Sequence, residues 1–130
     1  MDAAGLSAKQ QALRLAYESA AQRLDGMSFD ASQACVAGFE VHPVMARGRL
    51  CGAVLVRGSE IHACVLPWAR GRWFGRAQAA LLNRVIDAYG AATTSATTED
   101  GRLFVERLGF VNENGIYRST RKWALNRFSR

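Results

Sequence analysis

The chain has 130 residues, room for one domain with a buried core and little else. Its 49% hydrophobic and 22% charged residues mark a globular protein, and no run approaches the roughly 20 apolar residues of a membrane span. The formal charge of +6 is carried almost wholly by arginine, with Lys9 and Lys122 the only lysines, and this favours a phosphate-bearing ligand or an acidic partner.

From the start of the chain, Ser7-Ala8-Lys9-Gln10 has the spacing of a capping box. Leu13, Tyr17, Ala20 or Ala21, and Leu24 then recur at helical intervals, and Asp25-Gly26 supplies a stop. A strand is expected from about Gln33 to Val41, ended by His42-Pro43. Leu50–Val56 reads as a second strand and Glu60–Leu66 as a third. The short turn Arg57-Gly58-Ser59 makes these two an antiparallel hairpin. Pro67, with no amide to donate, closes the third.

The strongest helical signal follows. Phe74, Ala77, Leu81, Leu82, Val85 and Tyr89 trace an apolar stripe that ends at Gly90. Ala92–Thr97 is expected to be a short strand, and a helix joining two strands implies a locally parallel pair. Thr98-Glu99-Asp100 opens another helix, with a hydroxyl cap and acids at its positive end. It carries Leu103, Phe104 and Leu108 and stops at Gly109. Phe110 to about Trp123 reads as a hairpin turning at Glu113-Asn114-Gly115. The order predicts one α/β (α+β) domain with a mixed sheet: an N-terminal helical segment over residues 1–30, a sheet with two helices over 33–118, and a basic C-terminal tail over 119–130.

The three cysteines, Cys35, Cys51 and Cys64, follow no metal spacing and read as reduced thiols, two of them inside apolar strands. No metal site is expected. The absence of an apolar signal stretch points to a cytoplasmic protein.

The chemistry concentrates in residues 65–76, where a strand end leads through an arginine- and glycine-containing loop to a helix start. Loop amides, the positive helix terminus and Arg70, Arg72 and Arg76 predict an anion site, with Gly71 and Gly75 allowing close backbone approach. Trp68 and Trp73 either cover a ligand or pack in the core. Glu60 and His62 alternate onto one strand face, as carboxylate and imidazole suited to proton transfer or as ordinary strand-end residues. His42 and the threonine-rich strand Thr93, Thr94, Ser95 and Thr97 are weaker candidates.

Val65-x-Pro67-x-x-Arg70-Gly71 followed by an amphipathic helix resembles the acyl-CoA motif of GNAT acyltransferases. Leu103–Phe110, a helix ending in Leu-Gly-Phe, resembles the second signature of that superfamily. Together they span about residues 50–118, and Arg70-Gly71-Arg72-Trp73 with the late Asn114-Gly115-x-x-Arg118 is most similar to GNAT-like proteins of tailed phages and prophages.

The resemblance implies a GNAT-like fold shortened at its N-terminus, with acetyl-CoA or another acyl-CoA as co-substrate. It implies Val65 bonding pantetheine, and Arg70, Gly71, Arg72, Gly75 and Arg76 around the diphosphate. Glu60 and His62 would then manage the proton of an attacking amine. Two positions depart from the family pattern: Trp73 stands where a glycine is usual, and Val105 where a tyrosine often protonates the leaving thiolate.

Two further readings stand beside N-acyl transfer. One is a catalytically degenerate GNAT-fold protein serving as a phage virion component or a binder of a host factor, in the host cytoplasm or the virion. The other, resting on the charge of residues 118–130 alone, is nucleic-acid binding. An edge strand near the C-terminus is compatible with a homo-oligomer.

Overall fold

The structure, a computed structural model, describes residues 7–20, 37–96 and 98–128. Among these are three α-helices and six strands: α1 (Ala8–Ala20), β1 (Glu40–Ala46), β2 (Arg49–Arg57), β3 (Glu60–Val65), α2 (Arg76–Tyr89), β4 (Ala92–Thr94), α3 (Glu99–Arg107), β5 (Val111–Glu113) and β6 (Ile116–Ser119). The strands form a mixed sheet in the order β1-β2-β3-β4-β6-β5. This is the expected α+β class. The element order also matches, and β3 and β4 pair in parallel at Glu60↔Thr93. No helix among the described residues is long and apolar enough to cross a membrane.

The chain forms two compact units. The first contains the described residues up to Arg57 together with Ala63–Trp73; the second contains Gly58–His62 and the chain from Phe74 onward.

In the first unit, α1 starts as its capping box requires. The Ser7 amide donates to Gln10 Oε1 at 3.0 Å, and the Gln10 amide to Ser7 Oγ at 3.1 Å. The expected helix stop at Asp25-Gly26 lies outside the described residues, as do Leu24 and Cys35. Ala12 and Ala16 are buried on Ala53 and Leu55 of β2, so α1 lies on the β1–β2 hairpin through small side chains. The first strand differs from expectation: β1 runs Glu40–Ala46, straight through His42-Pro43. Among the described residues β1 is at the edge of the sheet, where a residue without an amide is tolerated. The register of β1 on β2 shifts between Val44 and Met45, leaving Cys51 as the extra residue between Leu50 and Gly52. Cys51 is buried, its thiol lying 3.4 Å from the Val44 carbonyl, and burial pushes its pKa up, away from reactive thiolate. Cys64 is half-buried, and both are free thiols.

In the second unit, α2 packs on β4 through Ala79, Leu82, Val85 and Ile86. The expected stripe is thus partly wrong. Leu82 and Val85 belong to it, but Ala77 is exposed, Tyr89 is 61% exposed, and Phe74 precedes the helix. Apolar residues cover most of this helix's circumference, so periodicity admits two faces. The buried face is the one carrying Ala79, Leu82, Val85 and Ile86. β4 stops at Thr94, short of the expected Thr97. Ala92 and Thr94, with their partners Ser119 and Tyr117, are buried on one face, while Thr93 and Arg118 point to the other.

Helix α3 begins with the predicted cap, the Gly101 amide donating to Thr98 Oγ1 at 3.0 Å. It ends with Gly109 at φ +100°, the left-handed conformation that lets the Phe110 amide bond back to the Val105 carbonyl at 3.0 Å and buries Phe110. Removing the cap with Thr98→Ala is expected to lower stability by about 1 kcal/mol, with Thr98→Ser near neutral, read from denaturation midpoints. The β5–β6 hairpin turns at Asn114-Gly115 as predicted, with positive φ at both.

The strand does not continue to Trp123. After Ser119 the chain leaves the sheet and runs along α2, ending in a 3₁₀ turn at Leu125–Arg127. Asn83 holds this strap by donating from Nδ2 to the Trp123 carbonyl at 2.9 Å and accepting from the Trp123 amide at 2.7 Å. Lys122 pairs with Asp87, and Trp123 and Phe128 close on Phe74.

Candidate functional site

The loop after β3 belongs to the first unit. Leu66 bonds through its amide to the Cys51 carbonyl at 2.8 Å, and Pro67–Ala69 then make a 3₁₀ turn. The loop does not present the expected row of open amides. The Arg70 amide donates to the Pro67 carbonyl and the Arg72 amide to that of Ala69, because a chain reversing so tightly satisfies its own donors. What the loop presents is side chains. Arg70 and Arg72 are exposed, and Arg72 Nη1 lies 3.4 Å from the Trp68 carbonyl. Gly71 sits at φ +82° with nothing within 4 Å of where a Cβ would stand, so the space beside its backbone is open. Val65 is buried at the strand end. Trp73 is 7% exposed, so its ring is core and not a ligand cover.

A residue the sequence reading passed over joins this loop. The Arg49 guanidinium stacks on the Trp68 ring, 4.5 Å from its centroid. The signal for it lay in the hairpin register. Counting outward from the Gly58-Ser59 turn sets Cys51 opposite Leu66, as their hydrogen bond shows, and Arg49 opposite Trp68.

The second unit holds the other candidates. Gly75 caps α2, its amide taken by Gln78 Oε1 at 2.9 Å. The next amides, Arg76 to Gln78, are those an α-helix leaves without intrahelical acceptors at its positive end. The Arg76 side chain turns to the strap, its Nη1 donating to the Leu125 carbonyl at 2.7 Å.

Glu60 and His62 meet on one face of β3, with His62 Nε2 2.8 Å from Glu60 Oε2 and side chains 26% and 38% exposed for His62 and Glu60. Ser59 and Thr93 stand beside them, the Thr93 amide donating to the Ser59 carbonyl at 2.8 Å. A second pair of the same spacing, His42 Nε2 and Glu40 Oε1 at 3.1 Å, lies on the edge strand β1 in the first unit. Among the described residues no group of three or more His, Cys, Asp or Glu side chains is arranged to hold a metal ion.

The geometry offers two kinds of chemistry: arginine-rich recognition of an anion, and a carboxylate–imidazole pair able to accept a proton. In comparisons with known proteins, no family model, no curated protein and no solved structure matches this chain.

Proposed function

We propose that this chain is a GNAT-type N-acyltransferase, taking an acetyl or other acyl group from acyl-CoA to an amine. The observation that carries the reading is the β3–loop–α2–β4 arrangement, in which a parallel strand pair is bridged by an arginine-bearing loop and a helix. Two features support it further. Glu60 and His62, the residues offered for proton transfer, are in hydrogen-bond contact. Trp73, at the position where the family has glycine, turns its side chain into the core.

In this reading Arg70 and Arg72 hold the diphosphate, with the open backbone beside Gly71 admitting its oxygens. His62, paired with Glu60, is the base that this reading assigns to the proton of the attacking amine. Glu60 then stabilises the imidazolium that forms. The new C–N bond replaces the C–S bond, and CoA departs as a thiolate. With Val105 in the usual tyrosine position, the thiolate takes its proton from water, which its moderate basicity permits.

The test is acyl transfer to a panel of amines, followed by thiol release, alongside calorimetric titration with acetyl-CoA. Native protein is expected to bind acetyl-CoA at micromolar concentration and Arg72→Ala about tenfold more weakly, a loss of about 1.4 kcal/mol. His62→Ala is expected to bind normally and lose at least about a hundredfold in transfer rate. Absence of acetyl-CoA binding by the folded native chain would sink the proposal. Trp73→Gly is expected to destabilise the fold, since removing a buried indole empties the core.

One observation favours a second reading. Arg76 is held by the Leu125 carbonyl, and the Arg70 and Arg72 amides are consumed within the loop, so part of the expected phosphate-binding set serves the fold. A GNAT-like fold without transfer, acting as a phage virion component or host-factor binder, accommodates that. Such a protein neither binds acetyl-CoA nor releases thiol.

A further inference from the structure

The first unit carries a concentration of uncompensated positive charge. Arg47 and Gly48 form the tip of the β1–β2 hairpin, Arg49 follows, and Arg70 and Arg72 lie on the loop after β3. Among the described residues no carboxylate forms an ion pair with any of these four arginines. Arg47 holds φ +54°, a left-handed conformation that Gly or Asn adopts at lower cost, and so adds a cation at the hairpin tip.

Two of the guanidiniums converge on one residue, Arg49 on the face of Trp68 and Arg72 beside its carbonyl. Stacking restricts Arg49 while leaving its N–H edge for hydrogen bonding, and the half-buried indole gives the cation a fixed seat. Like charges gathered this way repel one another, and the repulsion is relieved when an anion enters.

We propose that Arg49 and Arg72, assembled on Trp68, form a clamp for a phosphate or diphosphate group. Each planar fork presents paired N–H donors to phosphate oxygens. The clamp deepens the acyl-CoA reading and rests on it for the natural ligand, the diphosphate of acyl-CoA. The binding of phosphate chemistry itself is a separate claim.

The experiment is calorimetric titration of the full chain with inorganic pyrophosphate and, separately, with acetyl-CoA. The native protein is compared with Arg49→Ala, Arg49→Lys and Arg57→Ala. Arg57 is the control because it stacks on Phe39 at the opposite end of the same strand, 4.4 Å from the ring centroid. Pyrophosphate affinity is expected to fall by about tenfold or more in Arg49→Ala, less in Arg49→Lys, and to stay unchanged in Arg57→Ala. Thermal melts confirm that each variant is folded, and Arg49→Lys stands in should Arg49→Ala not be.

Pyrophosphate binding that ignores both Arg49 substitutions, or that is lacking in the native chain, overturns the clamp. If acetyl-CoA and pyrophosphate both bind equally well with and without Arg49, the acyl-CoA reading stands and the clamp falls. If pyrophosphate binds through Arg49 but acetyl-CoA binds no tighter than pyrophosphate, the clamp stands and the acyl-CoA reading falls.

Discussion

Gly52→Ala is expected to destabilise the chain by about 3 kcal/mol, more than a change of one methyl group costs at most positions. A Cβ on Gly52 would stand 2.1 Å from the Cys64 carbonyl oxygen and 2.8 Å from the Val65 Cα. Both neighbours are backbone, and no side-chain rotation relieves the clash. The strands β2 and β3 would have to separate where β2 already bulges at Cys51. A fall in the denaturation midpoint with an unchanged slope is the expected readout. Gly48→Ala is the informative comparison, because it has nothing within 4 Å and only its φ of +76° opposes a side chain, at a cost of about 1 kcal/mol. Equal midpoints for native protein and Gly52→Ala would show that β3 does not approach β2 as described. Because Val65 ends the strand that leads into the Trp68–Arg72 loop, folded Gly52→Ala is also expected to bind pyrophosphate more weakly.

The strap over α2 carries the second large effect. Trp123→Ala is expected to cost about 3 kcal/mol, since the indole lies 5.3 Å from Phe74 and 6.0 Å from Phe128 and carries Arg121 on its face at 4.0 Å. Asn83→Ala is expected to cost about 2 kcal/mol, because it strips both hydrogen bonds from the Trp123 backbone. The two act on one contact, so the double variant should lose clearly less than the sum. The Trp123 indole Nε1 is buried with no hydrogen-bond partner among the described residues. Trp123→Phe is therefore expected to be far milder than Trp123→Ala: it keeps a ring in place and removes a buried donor that nothing satisfies. Thermal melts of the four variants test this. Additive losses, or a Trp123→Phe as damaging as Trp123→Ala, would disprove this account of how the strap is held.

These long-range contacts divide what could be read from residue order from what could not. The sequence by itself determined the features whose physics closes within a few residues. Ser7 and Gln10 cap each other across one turn, Thr98 caps Gly101, Gly109 reverses the chain after α3, and Asn114-Gly115 folds a hairpin. The order of elements followed from the same local signals, and the parallel pairing of β3 with β4 from the presence of a helix joining two strands. The meeting of Glu60 and His62 was legible too, since alternate strand residues share a face.

Tertiary structure alone decided the rest. The face of α2 that is buried, carrying Ala79, Leu82, Val85 and Ile86, is set by packing on β4, a choice the helical period leaves open. Pro43 sits within β1 because that strand is an edge, a property of the whole sheet's order. The basic segment after Ser119 became a strap because Asn83, some 40 residues upstream, matches the backbone donor and acceptor of Trp123. Arg49 stacks on Trp68, a contact that hairpin register allows but that only the folded loop after β3 completes. In each case the deciding interaction joins residues far apart in the chain, so its energy appears only once the backbone has brought them together.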